Sequence, residues 1–296
     1  MNGPCGSMVM PETFKVIGEL RCQLGEGPLW SARENAIYWV DILAPALHRY
    51  SLANAQITTW PMPEKIGWVV ERRGQPGFIA GLQSGFVELT LDPVVCKPIA
   101  NPEPHLPNNR MNDAKVDAFG RIWAGTMDCD IRSASGALYC LDPQFKVTQQ
   151  DSGYLVTNGP AFGARNECMY HNDTARGVVY RFDLSTDGTI SGKTPFLTFP
   201  EEWGSPDGMT VDAEGGLWIA HWGGSRVSRF KPDGKLDRQI LLPASQITSC
   251  VFAGTNLDRL FVTSAAVDKS NEPLSGALFE IDPQGARGLE PNLFAG

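Results

Sequence analysis

The sequence has no stretch approaching the roughly 20 consecutive apolar residues of a membrane-spanning helix, which leaves that kind of anchor without a candidate. It also lacks any lysine and arginine cluster: 25 basic residues face 33 acidic ones, for a net charge of −8. A surface of that sign does not suit nucleic acid or anionic lipid, so the expected partner is a small molecule or a cation, not nucleic acid and not a membrane. The seven cysteines are scattered without a C-x-x-C pair, which removes zinc knuckles and dithiol redox motifs and leaves reduced, buried thiols as the reading. His48, His105, His171 and His221 never fall into H-E-x-x-H spacing, and no G-x-S-x-G elbow is present. Zinc-protease and serine-hydrolase chemistry therefore have no motif to stand on. His171 and His221, at expected strand ends, are kept as candidate supports of a site. The opening MNGPCGSMVMPE carries neither the basic residue nor the apolar run of a secretory leader, so a cytoplasmic location is expected.

Amphipathic helices are missing as well, and a repeat stands in their place. Residues 204–220, GSPDGMTVDAEGGLWIA, read as a strand, a tight turn and a second strand carrying a tryptophan. Residues 110–125, RMNDAKVDAFGRIWAG, repeat that grammar, with Val116-Asp117 matching Val211-Asp212 and Trp123 matching Trp218. Aligning the central apolar residue of each unit gives Trp39, Ile79, Trp123, Tyr170, Trp218 and Phe261, spaced 40, 44, 47, 48 and 43 residues apart. An all-strand period of roughly 40–50 residues is that of four-stranded propeller blades. Six units predict an all-β, six-bladed β-propeller occupying residues 14–296 as one domain. Residues 1–13 read as an unstructured tail or a cloning remnant. The strand at residues 14–20 precedes the first complete unit and is expected to pair into the last blade, closing the ring and covering exposed edges.

In such a ring, loops entering the innermost strands converge on one mouth of the channel. Glu26, Asn112, Asn158 and Asp207 hold that position in their units. Pro206 fixes φ before Asp207, and Gly208 after it is expected to supply backbone angles that other residues avoid. Each residue alone is an ordinary turn former. Together they make an oxygen-only set of two carboxylates and two amides, suited to a hard divalent cation with positions left for water or substrate.

The motifs LGEGPLW, NRMNDAKVD, TNGP and PDGMTVD, in this order across nearly the whole chain, resemble the SMP-30/gluconolactonase/regucalcin family. The resemblance implies one divalent metal in the channel (calcium, zinc, manganese, magnesium or iron(II)) and hydrolysis of sugar-acid lactones to aldonic acids. By motif, Glu26, Asn158 and Asp207 are the implied metal ligands, and Arg110 and Asn112 are expected to hydrogen-bond the lactone's oxygens. An acidic residue after the G-T-M segment is expected to read substrate hydroxyls; here both Asp128 and Asp130 fit. The metal would polarise the lactone carbonyl, while Asp207, as general base, or hydroxide on the metal activates the attacking water. Two other readings use the same pocket: a non-catalytic, cation-binding regulatory protein, and a metal-dependent esterase or phosphoesterase. Arg110 separates the first of these from the lactonase, because a pure ion site has no need of a cation beside it.

Overall fold

The computed structural model describes residues 14–296, so the reading of residues 1–13 lies outside the described residues. Six four-stranded antiparallel sheets make up the fold. β1 (Phe14–Ile17) is followed by blade one, β2 (Gly25–Ser31), β3 (Ala36–Asp41), β4 (Ala46–Ser51) and β5 (Ile57–Pro61). Blade two is β6 (Ile66–Glu71), β7 (Phe78–Leu82), β8 (Gly85–Thr90) and β9 (Val95–Ala100). Blade three is β10 (Asn109–Val116), β11 (Ile122–Asp128), β12 (Gly136–Leu141) and β13 (Val147–Tyr154). Blade four is β14 (Thr157–Phe162), β15 (Cys168–Asp173), β16 (Val178–Leu184) and β17 (Ile190–Thr198). Blade five is β18 (Ser205–Val211), β19 (Leu217–Trp222), β20 (Arg226–Phe230) and β21 (Leu236–Leu241). Blade six is β22 (Ile247–Ala253), β23 (Arg259–Ser264) and β24 (Leu278–Ile281), completed by β1.

The innermost strands touch their neighbours in a closed cycle: β2 to β6, β10, β14, β18, β22 and back to β2. Ring closure follows the expected route, since β1 pairs antiparallel with β24 from Phe14 opposite Ile281 to Ile17 opposite Leu278. The six central residues predicted from the repeat all lie on second strands and are buried. They form the layers between blades, where apolar side chains of adjacent sheets interlock.

The repeated Val-Asp…Trp grammar has a structural cause. Asp117 Oδ1 accepts the N–H groups of Phe119 and Arg121, and its Oδ2 accepts the Trp123 indole at 2.9 Å. Asp212 does the same for Glu214, Gly216 and the Trp218 indole at 2.8 Å. One carboxylate thus shapes the turn between the first two strands and fixes the buried ring of the second. Arg121 and Arg229 neutralise these two fully buried aspartates at 2.6 Å.

All six inner strands share an irregularity that the period does not show. Each slips register against its neighbour toward its N-terminal end: between Glu26 and Leu29, Ile66 and Trp68, Met111 and Ala114, Asn158 and Ala161, Pro206 and Met209, and Ile247 and Ser249. These are β-bulges, and they correct the expectation that the candidate residues sit on entering loops. Glu26, Asn112, Asn158 and Asp207 lie within strands, at or beside the bulges. A bulge turns consecutive residues toward one side and bends the strand, devices common next to active sites. Gly27 and Gly159 take positive φ of 53° and 81° there, which explains the glycines. Gly208 is different. Its φ lies outside the left-handed region, and what it lacks is room, because an added Cβ would meet Ser249 Oγ at 2.1 Å.

The opposite end of the channel is strapped by residues 287–296. Gly288 bridges to Asp212, Asn292 Nδ2 donates to Val116 O at 3.0 Å, and Phe294 bridges to Arg72. Leu289 to Asn292 cover a cavity of about 140 Å³ in the channel. Phe294 itself is fully buried against blade three, edge-on to Phe145.

Candidate active site

The bulges place a buried polar cluster where an apolar channel would otherwise continue. Arg110 Nη1 donates to Asn112 Oδ1 at 2.6 Å and to Met111 O at 3.0 Å. Asn112 Nδ2 donates to Asn158 Oδ1 at 3.1 Å and also to Thr157 O. Asn158 Nδ2 in turn donates to Thr174 Oγ1 at 2.8 Å. These bonds fix both amide orientations and leave Asn158 Oδ1 with a second lone pair for another partner. Asn172, on the neighbouring strand, donates to the backbone carbonyl of Asp207 at 2.6 Å and so anchors that bulge.

Three carboxylates converge here. Glu26 accepts the Gly27 N–H at 3.0 Å, and its acid is pushed up to about 8 by burial and by the negative charge of Asp113. Asp207 is raised well above the usual carboxylate range, by burial first and then by the charges of Glu26 and Asp113, and its Oδ1 is buried without a hydrogen-bond partner. Asp113 is also raised by burial, although it accepts the N–H groups of Ala114 at 2.8 Å and Gly159 at 3.0 Å. Burial draws the Arg110 guanidinium the other way, below its ordinary value, against the pull of nearby acidic groups. Burial leads in raising all three carboxyl groups, and the nearby cations Arg110 and Lys115 offset it only in part.

Those observations test whether a cation fits. Glu26, Asp207 and the Asn158 amide offer hard oxygen donors, one of them orphaned, in a cluster that repels its own negative charge. That donor set suits a divalent cation. Among the described residues no three His, Cys, Asp or Glu side chains form a metal-holding group by themselves, so the amide oxygen belongs in the set.

Asp113 is a site residue that sequence reasoning misses. Regular strand alternation would point it away from Asn112, and only the bulge brings both into the site. The one available signal is the adjacent Asn-Asp pair at the candidate position. Asp128 ends β11 opposite Asn109, next to Arg110, and Asp130 lies in the turn after it; among the described residues neither hydrogen-bonds the buried cluster. The Asp128 carboxylate accepts the N–H groups of Asp130, Arg132 and Ser133 at 3.0–3.2 Å, and the Asp130 bond leads in holding it below its ordinary value. Asp130 keeps a side chain 49% exposed, beside Arg132. His171 and His221 are not at a mouth. Both are fully buried within second strands, His171 against Tyr154 and His221 against Phe199, and burial lowers them to about 3 and about 4.

A six-bladed propeller with an oxygen-rich, carboxylate-bearing cluster held by bulges at one end of its channel has the architecture of a small-molecule site. Residues 24–266 match the family described as SMP-30/Gluconolactonase/LRE-like region, and the chain belongs to that family. Among similar proteins, 6-deoxy-6-sulfogluconolactonase of Pseudomonas putida is 35% identical, over 97% of this chain and 100% of that one. Regucalcin of Xenopus laevis is 32% identical over 97% of each chain. Among solved structures, a luciferin-regenerating enzyme superimposes with a TM-score of 0.91 at 30% identity, covering 96% of this chain and 99% of that one.

Proposed function

We propose that the protein hydrolyses sugar-acid lactones to aldonic acids, using a divalent cation held by Glu26, Asn158 and Asp207. The observation that carries this reading is the buried Arg110 and Asn112 pair set beside the raised carboxylates, supported by a relative named as a sugar lactonase. A site for a cation alone gains nothing from a buried guanidinium, whereas an ester's oxygens do. When bound, the cation supplies Lewis-acid polarisation of the ester carbonyl.

The chain's own residues account for the rest. Arg110 and Asn112 hold the lactone's oxygens, the guanidinium with the N–H groups that Met111 and Asn112 do not use. Asp207, whose buried Oδ1 has no hydrogen-bond partner among the described residues, receives a proton from the attacking water as the new C–O bond forms. The acyl C–O bond of the ring then breaks, and the proton passes to the released ring oxygen, giving the open acid. Asp130 is the carboxylate proposed to read substrate hydroxyls, because Asp128 already serves the turn. Six described cysteines are unpaired, which suits the reducing cytoplasm proposed as its location.

The test is opening of glucono-, galactono-, xylono- and arabinonolactone, followed as acid release above the spontaneous rate. Chelated protein should be inactive and regain turnover with one or more of calcium, zinc, manganese, magnesium or iron(II). Asp207→Asn with metal bound should lose at least ~10²-fold in kcat, the lower range for a general base. Near-native turnover in that variant removes the base assignment. Metal binding without lactone opening favours the regulatory reading that the regucalcin likeness supports, and opening of other esters alone favours the esterase reading.

A further inference from the structure

On the rim of the same end of the propeller, between blades two and three, a recess of about 300 Å³ adjoins Arg110. Its wall is the segment at residues 101–109, and the order of that wall has a clear source. Buried Glu103 accepts Asn109 Nδ2, Thr126 Oγ1 and Tyr139 OH at 2.8–2.9 Å, while its backbone N–H donates to Asn101 Oδ1 at 2.9 Å. A loop fixed by this many bonds to a buried carboxylate presents a shaped surface rather than a yielding one.

The groups left over in the recess have a common character. Gln83 is half-buried and its side chain has no hydrogen-bond partner among the described residues. Asn101 engages only its oxygen, leaving its Nδ2. Glu64 accepts the Ser84 N–H at 2.9 Å and the Ser84 hydroxyl, and faces the recess with Glu103. Two amides and a carboxylate offer both donors and acceptors, the requirement for hydroxyl groups. Glu64, just ahead of β6, and Glu103, in the 101–109 segment, bring two carboxylates to the recess against the one guanidinium of Arg110, and so oppose an anionic tail.

From this we infer that the recess receives the exocyclic polyol chain of the lactone and that the enzyme selects substrates with a neutral, hydroxylated tail over those whose tail ends in an anion. The inference rests on the lactonase reading above and adds the substrate class. Arg110 stands at the junction, so the ring lies over the buried cluster and the tail extends between the blades.

The experiment uses three lactones on the metal-loaded protein. D-galactono-1,4-lactone and L-arabinono-1,4-lactone share ring stereochemistry and differ by one hydroxymethylene in the tail, and galactaro-1,4-lactone replaces the terminal alcohol by a carboxylate. The galactono substrate should show the highest kcat/KM. Gln83→Ala and Asn101→Ala should each reduce the galactono-to-arabinono ratio by about tenfold, roughly the loss of one or two hydrogen bonds. Glu64→Gln should raise relative activity on the galactaro substrate. Turnover of both neutral lactones with a galactono-to-arabinono ratio unchanged in these variants, whether the two rates hold or fall together, overturns the tail assignment alone. Failure to open any lactone overturns the lactonase reading and this inference with it. Gln83→Glu adds a charge without shortening the side chain, and should depress the galactaro substrate while leaving the fold, followed by circular dichroism, unchanged.

Discussion

Burial raises the carboxyl groups of Glu26, Asp113 and Asp207, the charge of Asp113 adds to the rise at the other two, and these raised groups set the pH behaviour of the metal-free protein. A carboxylate raised on folding is favoured in its protonated form, so the folded state loses stability as pH climbs from the ordinary carboxylate value toward the raised one. For Glu26 that window runs from 4.5 to about 8. Buried histidines act in the opposite sense. His48, His171 and His221 are lowered from 6.5 to about 4, about 3 and about 4 by burial, so their contribution is lost as pH falls below 6.5. The carboxylate effect therefore stands clear of the histidines between pH 6.5 and 8. Chelated protein should become less stable to urea across that interval, and Glu26→Gln should flatten the slope. Saturating metal should reverse it, because ligands must lose their protons to bind. A slope unchanged by Glu26→Gln would place the titration elsewhere.

At the scale of the element, the bulge is the unit that builds the site. Its position toward the N-terminal end of each inner strand puts it where neighbouring blades approach closely, and small residues make that approach possible. Gly67, in the bulge of β6, is packed so tightly against β10 that an added Cβ would meet Asn112 O at 2.6 Å and Met111 O at 2.8 Å. The obstructing atoms are backbone, which cannot rotate aside. Gly67→Ala should push β10 outward, costing about 1–3 kcal/mol as overpacking does. It should also displace Arg110 and Asn112, which follow that backbone. The expected signature is a reduced denaturant midpoint together with a raised KM. Alanine at Gly74, where an added Cβ has nothing within 4 Å but φ is +68°, should lower the midpoint through backbone strain alone and leave KM unchanged.

Across the whole molecule, two devices close the ring. β1 completes the last blade, and the strap at residues 287–296 ties blades five and six to blades two and three across the channel. The strap's anchor is Phe294, fully buried, with its N–H donating to Glu71 O at 2.9 Å and the Arg73 N–H donating to its carbonyl at 2.7 Å. Phe294→Ala should cost about 3–5 kcal/mol, the usual range for emptying a buried aromatic site. Because the strap lies at the opposite end from the site, kcat on the preferred lactone should hold at temperatures where the variant remains folded. An unchanged urea midpoint would show that the blades close without it.

The sequence by itself determined the number of blades, because each of six units centres on a large apolar residue that fills an inter-blade layer, and two of them repeat the Asp that shapes a turn. It also determined which end of the ring carries polar residues, since Glu26, Asn112, Asn158 and Asp207 recur at one place in their units. The closing strand was legible for the same reason: a strand ahead of the first unit has the last blade as its open edge. Tertiary structure decided what periodicity cannot express. A bulge adds one residue against a partner strand, so it is defined by register between strands and brings in Asp113 beside Asn112. The turn's backbone N–H groups, folded around Asp128, distinguish it from Asp130. Burial likewise settled the histidines, whose imidazoles are enclosed by side chains from distant positions that one strand's sequence does not reveal.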